Sequence, residues 1–208
     1  MKKYFLSLVV LFLSLPTMAQ MSGGGLILTT ENVYYGFRLG AAFSAIRGNG
    51  SHAKNLKPGF TMGGVVGVRV NDQTPLFLES GVYYAQRGGR GEDYKCSLHY
   101  LEVPLLIKYG IETASDVSVL PFLGPAISFG LSGHIKETGL PGGTAFGDNR
   151  FNRFDIGVKL GSGIEYNMLY AEVGFQFGVV NVYNNPKGAI DEYSAYVNSL
   201  FINVGINF

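Results

Sequence analysis

Ten charged residues recur in segments of the chain that are otherwise apolar and rich in glycine. Five of them are basic and five are acidic, so the set is balanced in sign. They are Arg38, Arg69, Glu79, Arg87, Glu102, Lys108, Asp155, Lys159, Glu165 and Glu172. If these side chains share one enclosed space, their chemistry is mutual ion pairing in a polar core.

Three histidines, His52, His99 and His134, are the candidates for a catalytic base. Hydrolysis by a histidine needs a serine or a carboxylate within hydrogen-bond reach. His52 and His134 fall in predicted loops, and His99 has the parity of the apolar residues in its segment. None of them shares a face with both a serine and a carboxylate. The pattern therefore predicts no catalytic residues and no enzyme.

Metal and cofactor sites are also not predicted. The acidic pairs at 92–93 and 191–192 lack the ligand spacing of a calcium loop. Residues 157–163 (GVKLGSG) resemble a phosphate-binding loop, but the terminal Lys-Ser/Thr and the following helix are missing. Cys96 is the only cysteine, so no intrachain disulfide forms, and we expect it at a loop or rim.

The elements that position these residues are strands. Eight segments alternate between apolar and polar residues, the period of a strand with one apolar face. They are 35–45, 59–70, 76–87, 98–109, 119–130, 154–166, 169–179 and 199–208. Each exceeds the ~5–6 residues usual in soluble proteins and suits the ~9–11 of a tilted membrane strand. Pro104 lacks a ladder donor and predicts a bulge or kink.

All ten charges have the parity opposite to the apolar stripe of their own segment. A Lys or Arg facing lipid costs roughly 2–4 kcal/mol at the bilayer midplane, so lipid on the apolar side would favour this sorting. An eight-stranded barrel has an interior just wide enough for side chains to fill. We therefore predict a filled, non-conducting barrel whose interior holds the ten charges.

The connections between the segments alternate in length. Those at 46–58, 88–97, 131–153 and 180–198 are longer than those at 71–75, 110–118 and 167–168. Outer-membrane barrels have short periplasmic turns and longer external loops. The predicted fold is all-β: an eight-stranded antiparallel up-and-down transmembrane β-barrel with that arrangement of turns and loops.

The two ends of the sequence agree with export to an outer membrane. Residues 1–19 have the basic, apolar and small-residue regions of a signal peptide. We expect a short periplasmic segment at 20–34 and the barrel at 35–208. Phe208, Ile206 and Val204 end the last apolar stripe and are predicted to form the assembly signal read by the barrel assembly machinery.

Composition supports the same class of protein. The chain has 30 glycines in 208 residues, about twice the usual ~7 % share. Without Lys2 and Lys3, the 16 basic residues become 14 against 15 acidic ones, a net charge of −1. No basic excess indicates nucleic acid. No later apolar run approaches the ~18 residues of a membrane helix.

Several segments resemble the Bacteroidetes porin-family, or PorT-like, outer-membrane β-barrel domain. The similarity spans 35–208, and residues 100–109 (YLEVPLLIKY) are its most specific part. The other matching stretches are 36–44 (GFRLGAAFS), 78–88 (LESGVYYAQRG), 121–125 (PFLGP) and 154–157 (FDIG). The resemblance implies an integral outer-membrane protein of a Gram-negative bacterium, and it carries no catalytic residues.

The function expected from the sequence is a structural, interaction or adhesion role carried by the external loops, above all 131–153 and 180–198. The expected partners are outer-membrane lipid, the barrel assembly machinery, and a protein or surface ligand at the loops, with a monomeric barrel. Some PorT-like proteins are implicated in type IX protein secretion, and an accessory of that process is the alternative. A barrel-embedded hydrolase is the third reading.

Overall fold

The computed structural model describes residues 33–49, 55–71, 73–114, 117–139, 141–146, 151–184 and 193–208. The predicted signal peptide, nearly all of the 20–34 segment, His52 and the acidic pair at 191–192 lie outside the described residues. The described ranges contain no helix with the length and apolar character needed to cross a membrane.

The described residues form ten strands in one sheet. They are β1 (Val33–Arg47), β2 (Lys57–Asn71), β3 (Thr74–Arg90), β4 (Tyr94–Tyr109), β5 (Ile111–Ala114), β6 (Val117–Glu137), β7 (Gly143–Thr144), β8 (Phe154–Tyr166), β9 (Leu169–Gly178) and β10 (Tyr196–Asn207). Two of them, β5 and β7, are short strands that pair only with β6.

The eight long strands close into a barrel. Each pairs antiparallel with the next long strand in the chain, β4 with β6, and β1 pairs with β10. The last residue continues this seam, because the Phe208 amide donates to the Tyr35 carbonyl over 2.7 Å. Each of the eight long strands therefore has a paired neighbour on both sides, as a closed barrel requires. The predicted all-β, eight-stranded antiparallel barrel is confirmed.

The barrel has its polar residues inside and its apolar residues outside. Ile107 and Leu123 are 56 % and 57 % exposed, whereas Arg38 and Lys108 are 0 % exposed. In water such an exposed apolar band would be unfavourable, but it suits a surface that meets lipid. The alternation seen in the sequence thus sorts side chains between membrane and interior.

The two ends of the barrel differ in their connections. At the turn end, where Phe208 lies, residues 72–73 join β2 to β3 and 167–168 join β8 to β9. At the loop end, residues 48–56, 138–153 and 179–195 form long connections. The fourth, 91–93, has only three residues, because β3 and β4 run past the predicted strand ends.

β6 continues seven residues beyond its predicted end at 130, which shortens the predicted 131–153 loop. The register of β6 against β4 shifts where His99 pairs with Ser132 and Tyr100 pairs with Gly130. Leu131 is the extra residue of this bulge. A bulge reverses the parity of the later residues in its strand, so Ile135 faces inward although it is odd-numbered.

Proline does not produce the bulge predicted for it. The register of β3 against β4 is the same on both sides of Pro104, and that residue pairs with Ala126 of β6. The Ser80 hydroxyl donates to the Pro104 carbonyl over 2.8 Å. The register of β6 against β8 is likewise constant across Pro121 and Pro125. The predicted bulge at Pro104 was therefore wrong, since the register shift of β4 against β6 lies at His99 and Tyr100 instead.

Candidate functional site

Strand alternation turns charged side chains of five strands, β1, β3, β4, β8 and β9, into the barrel, where they meet in two groups. The first group, which we call the turn-end ion cluster, centres on Glu79 of β3. Lys108 Nζ lies 2.8 Å and Arg38 Nη2 lies 3.5 Å from its carboxylate oxygens. The Tyr34 hydroxyl donates to Glu79 Oε2 over 2.6 Å. One buried carboxylate thus has two cations and a neutral donor.

Tyr170 connects this cluster to a second carboxylate. Lys108 Nζ donates to the Tyr170 hydroxyl over 2.8 Å, and that hydroxyl donates to Glu172 over 3.0 Å. The guanidinium of Arg38 lies 3.9 Å from the centre of the same ring, within cation–π range. Asn203 Nδ2 donates to the other Glu172 oxygen over 2.7 Å. Cations, a phenol and an amide therefore satisfy both carboxylates.

The second group, the loop-end ion cluster, centres on Glu102 of β4. Its carboxylate binds both Arg87 and Lys159, and the Ser128 hydroxyl donates to it over 3.1 Å. Arg87 Nη2 also donates to Gln176 Oε1 over 2.6 Å. All five side chains are buried. Removing one member of such a cluster leaves the others desolvated without compensation.

An apolar layer lies between Lys108 of the turn-end ion cluster and Lys159 of the loop-end ion cluster. It consists of Ala42, Leu106, Phe122 and Phe201, all buried. The rings of Phe122 and Phe201 stack with centroids 6.3 Å apart. Lys108 Nζ lies 5.5 Å from the Phe122 ring and Lys159 Nζ lies 4.8 Å from the Phe201 ring. Each cluster thus ends on an aromatic face.

The remaining predicted charges lie outside these two sets of ion pairs. Arg69 is half-buried at the turn end, where its Nε donates to the Asn71 carbonyl over 3.3 Å. Glu165 accepts from Asn207 Nδ2 over 2.5 Å. Asp155 is buried near the loop end and is in none of the ion pairs among the described residues. The structure brings seven of the ten together in pairs.

An apolar plug lies above the loop-end ion cluster. This loop-end cap consists of Ile46, Cys96, Leu98, Tyr100, Ile135, Ala145, Phe146, Phe151, Val182, Ala195 and Val197. It combines strand ends with residues of the two longest connections. The Phe146 ring packs edge-on against Tyr100 with centroids 6.1 Å apart. The interior is therefore covered at the end where the long loops lie.

Sequence reasoning missed the cap for a definable reason. Cys96 was expected at a loop or rim, but it is fully buried in β4. Ile135 was assigned to a loop because the bulge at Leu131 hides its parity. The available signal was the presence of Phe146, Phe151 and other apolar residues in connections that are otherwise polar.

Tyr34 and Tyr35 are chain neighbours whose side chains point to opposite sides of the barrel wall. The Tyr34 side chain is 6 % exposed and points inward to Glu79. A Cβ on Gly67 would overlap the Tyr34 ring, so that glycine is what admits the ring. Tyr35 is 57 % exposed on the outer surface, where aromatic residues are common at the membrane interfaces of barrels.

The described histidines lie on the outside of the barrel. His99 Nδ1 is 2.5 Å from the Tyr84 hydroxyl on the outward face of β3 and β4, and His134 is exposed on β6. Within the described residues there is no group of three His, Cys, Asp or Glu side chains arranged to hold a metal ion. The arrangement of the interior fits ion pairing rather than acid–base catalysis.

Comparison with known proteins gives a family and a fold. The family model described as "Outer membrane protein beta-barrel domain" matches residues 18–184. No curated protein sequence matches the chain. The narrower resemblance to PorT-like proteins of Bacteroidetes stays a prediction.

Solved structures of other barrels are similar in fold. Neisserial surface protein A is 17% identical with a TM-score of 0.51, and the match covers 86% of this chain and 98% of that one. Ail of Yersinia pestis is 14% identical with a TM-score of 0.47, covering 86% and 100%. The N-terminal barrel of Pseudomonas aeruginosa OprF is 14% identical with a TM-score of 0.40, covering 86% and 98%. At these identities the likeness concerns the fold alone.

Proposed function

The chain belongs to the outer membrane protein β-barrel domain family, and we propose that it is a non-enzymatic integral outer-membrane protein with a filled, non-conducting interior. We propose further that its loop end carries an interaction or adhesion role. The observation that carries the first part is the occupied interior, where two ion clusters, an apolar layer and a cap follow one another.

Ion conduction needs a continuous path for water. The cavity between Arg87, Lys159 and Asn203 has room for roughly one water molecule. Phe122 and Phe201 lie on one side of the loop-end ion cluster, and the cap lies on the other. Charges that are paired and desolvated in this way are not available to a hydrated ion passing through.

Recording in planar bilayers tests the filled interior. The wild-type barrel is expected to show no stable conductance, because the buried side chains of the two ion clusters, the apolar layer and the cap occupy its interior. The variant carrying Phe122→Ala and Phe201→Ala removes that layer and is expected to conduct more than wild type. A stable, large conductance from the wild-type protein would contradict the proposal.

The organisation of the loop end supports an interaction role. The Asn181 side chain joins the two ends of the last long connection, 179–195. It donates to the Tyr193 carbonyl over 3.0 Å and accepts from the Ala195 amide over 2.8 Å. The Ser194 amide donates to Asn49 Oδ1 of the first connection over 2.7 Å. Loops held on a rigid scaffold present a fixed surface to a partner.

Site-specific photo-crosslinking in cells tests this role. A photoreactive residue at Asn152, exposed at the loop end, is expected to capture a partner. The matched control places the same photoreactive residue at Glu112, which is exposed at the turn end. Capture at Asn152 of components of a secretion apparatus would favour the accessory role instead. Capture at Glu112 alone would contradict a loop-end interface.

A further inference from the structure

Three cations stand side by side on the outer surface of the barrel near its loop end. Arg90 of β3 pairs in register with Lys95 of β4, and Lys95 pairs in register with Lys136 of β6. All three side chains are exposed. They have outward parity, since the residues next to them, Cys96 and Ile135, are buried in the cap. We call them the outward cation row.

This row is unfavourable for the barrel on its own. Like charges directly opposite one another on neighbouring strands are destabilising. No ion pair links the three cations to a carboxylate in the described part of the chain, although the exposed acidic residues Glu92, Asp93 and Glu137 lie beyond them towards the loop tips. In the interior of the same barrel, cations are paired with Glu79 and Glu102. The outward row therefore offers positive charge to something outside the protein.

Below the row, polar residues lead down to the lipid-facing belt. His134 pairs in register with Ser97, and His99 lies one outward position further along β4 and contacts the Tyr84 hydroxyl. The next outward residue on β4 is Leu101, which is 42 % exposed and opens the apolar band. The row and these polar groups form one strip directly above the membrane.

The height of this strip indicates the size of its ligand. Leu101 lies six positions after Lys95, which is roughly 20 Å along a strand and less in height, because barrel strands are tilted. Flexible Lys and Arg stems shorten the gap further. A single phospholipid phosphate at the belt would reach only the lowest polar groups. A large headgroup with sugars and several phosphates spans the whole strip.

Within the described residues, the row of three cations lies on one side of the barrel. On the far wall, the described outward residues at the loop ends of β1 and β10 include Phe43, Leu200 and one cation, Arg47. General attraction to an anionic membrane would not need three cations in register on one wall. We infer that the wall formed by β3, β4 and β6 binds the phosphorylated headgroup of an outer-leaflet glycolipid.

Lipid binding by the folded, full-length barrel in detergent tests the inference. The probe is diphosphorylated lipid A, followed by native mass spectrometry at two salt concentrations. The variant combining Arg90→Gln, Lys95→Gln and Lys136→Gln is expected to bind it roughly tenfold or more weakly, with a smaller dependence on salt. The matched control is Arg47→Gln, which removes a loop-end cation on the far wall. This variant is expected to bind lipid A as tightly as wild type does.

Three results would overturn the inference. They are equal binding by the triple variant and wild type, an equal loss in Arg47→Gln, and displacement of the lipid by millimolar inorganic pyrophosphate. The last would identify a soluble polyphosphate as the ligand. The heat-dependent shift in gel migration checks that each variant is folded. Monophosphorylated lipid A is expected to bind more weakly than the diphosphorylated form to wild type.

Discussion

Charged residues serve opposite purposes inside the barrel and on its outer wall. Inside, Glu79 and Glu102 each hold two cations, and all of these groups are buried. Outside, Lys95 lies between two further cations and no carboxylate compensates it within the described residues. Paired burial serves the stability of the fold, whereas unpaired exposure leaves charge for a ligand. Substitutions in the two regions should therefore differ in size and in sign.

The largest effect is expected from Glu102→Gln. The change leaves Arg87 and Lys159 buried without a counter-charge, which typically costs about 3–5 kcal/mol. Urea unfolding of the barrel in lipid vesicles measures the free energy of unfolding. Glu112→Gln, at an exposed position of the turn end, is the control and should change it little. Equal stability of the two variants would show that the loop-end ion cluster contributes nothing.

A smaller loss is expected from Tyr34→Phe. The ring remains packed on Phe77, but Glu79 loses the hydroxyl that donates over 2.6 Å. A hydrogen bond to a charged group contributes about 1.5–3 kcal/mol, and the two cations on Glu79 should hold the loss to the lower part of that range. The same unfolding experiment gives the value. No loss would mean that the cations alone satisfy this carboxylate.

The smallest effect, and the one of opposite sign, is expected from Lys95→Glu. It converts the outward cation row into alternating charges, with Arg90 and Lys136 on either side of a carboxylate. Cross-strand pairs of this kind contribute roughly 0.2–1 kcal/mol, so the barrel should become slightly more stable while binding less lipid A. If Lys95→Glu instead lowered the stability of the barrel and left lipid A binding unchanged, the contrast between paired interior charges and unpaired outward cations would be wrong.

Strand parity made most of the barrel predictable. The segment 154–166 was predicted with the bounds that β8 has, because its alternation is nearly unbroken. Prediction failed in two places. One inserted residue, Leu131, reversed the parity of β6. Elsewhere β3 continued through Gly88 and Gly89, and β4 continued beside it. A local pattern cannot show pairings that continue past glycines or bulges.

The partners of the interior charges were beyond the sequence for another reason. Parity gives the side of the sheet on which Lys159 lies, but not its height relative to Glu102. That height depends on the stagger between strands around the whole barrel. The long connections posed the same difficulty, since nothing local indicates that Phe146 and Phe151 fold back over the opening.

The placement of the ion pairs bears on how such a barrel enters a bilayer. Glu79 and Arg87 of β3 face Lys108 and Glu102 of β4, so each ion cluster has a complete pair within one hairpin. Two positive and two negative charges leave this hairpin with no net charge on its inner face. Because these pairs are made within the hairpin, its inner face meets the apolar region of the membrane without an unpaired charge, which would be costly there. Lys159 of β8 then adds a third charge to a pair that the hairpin already holds.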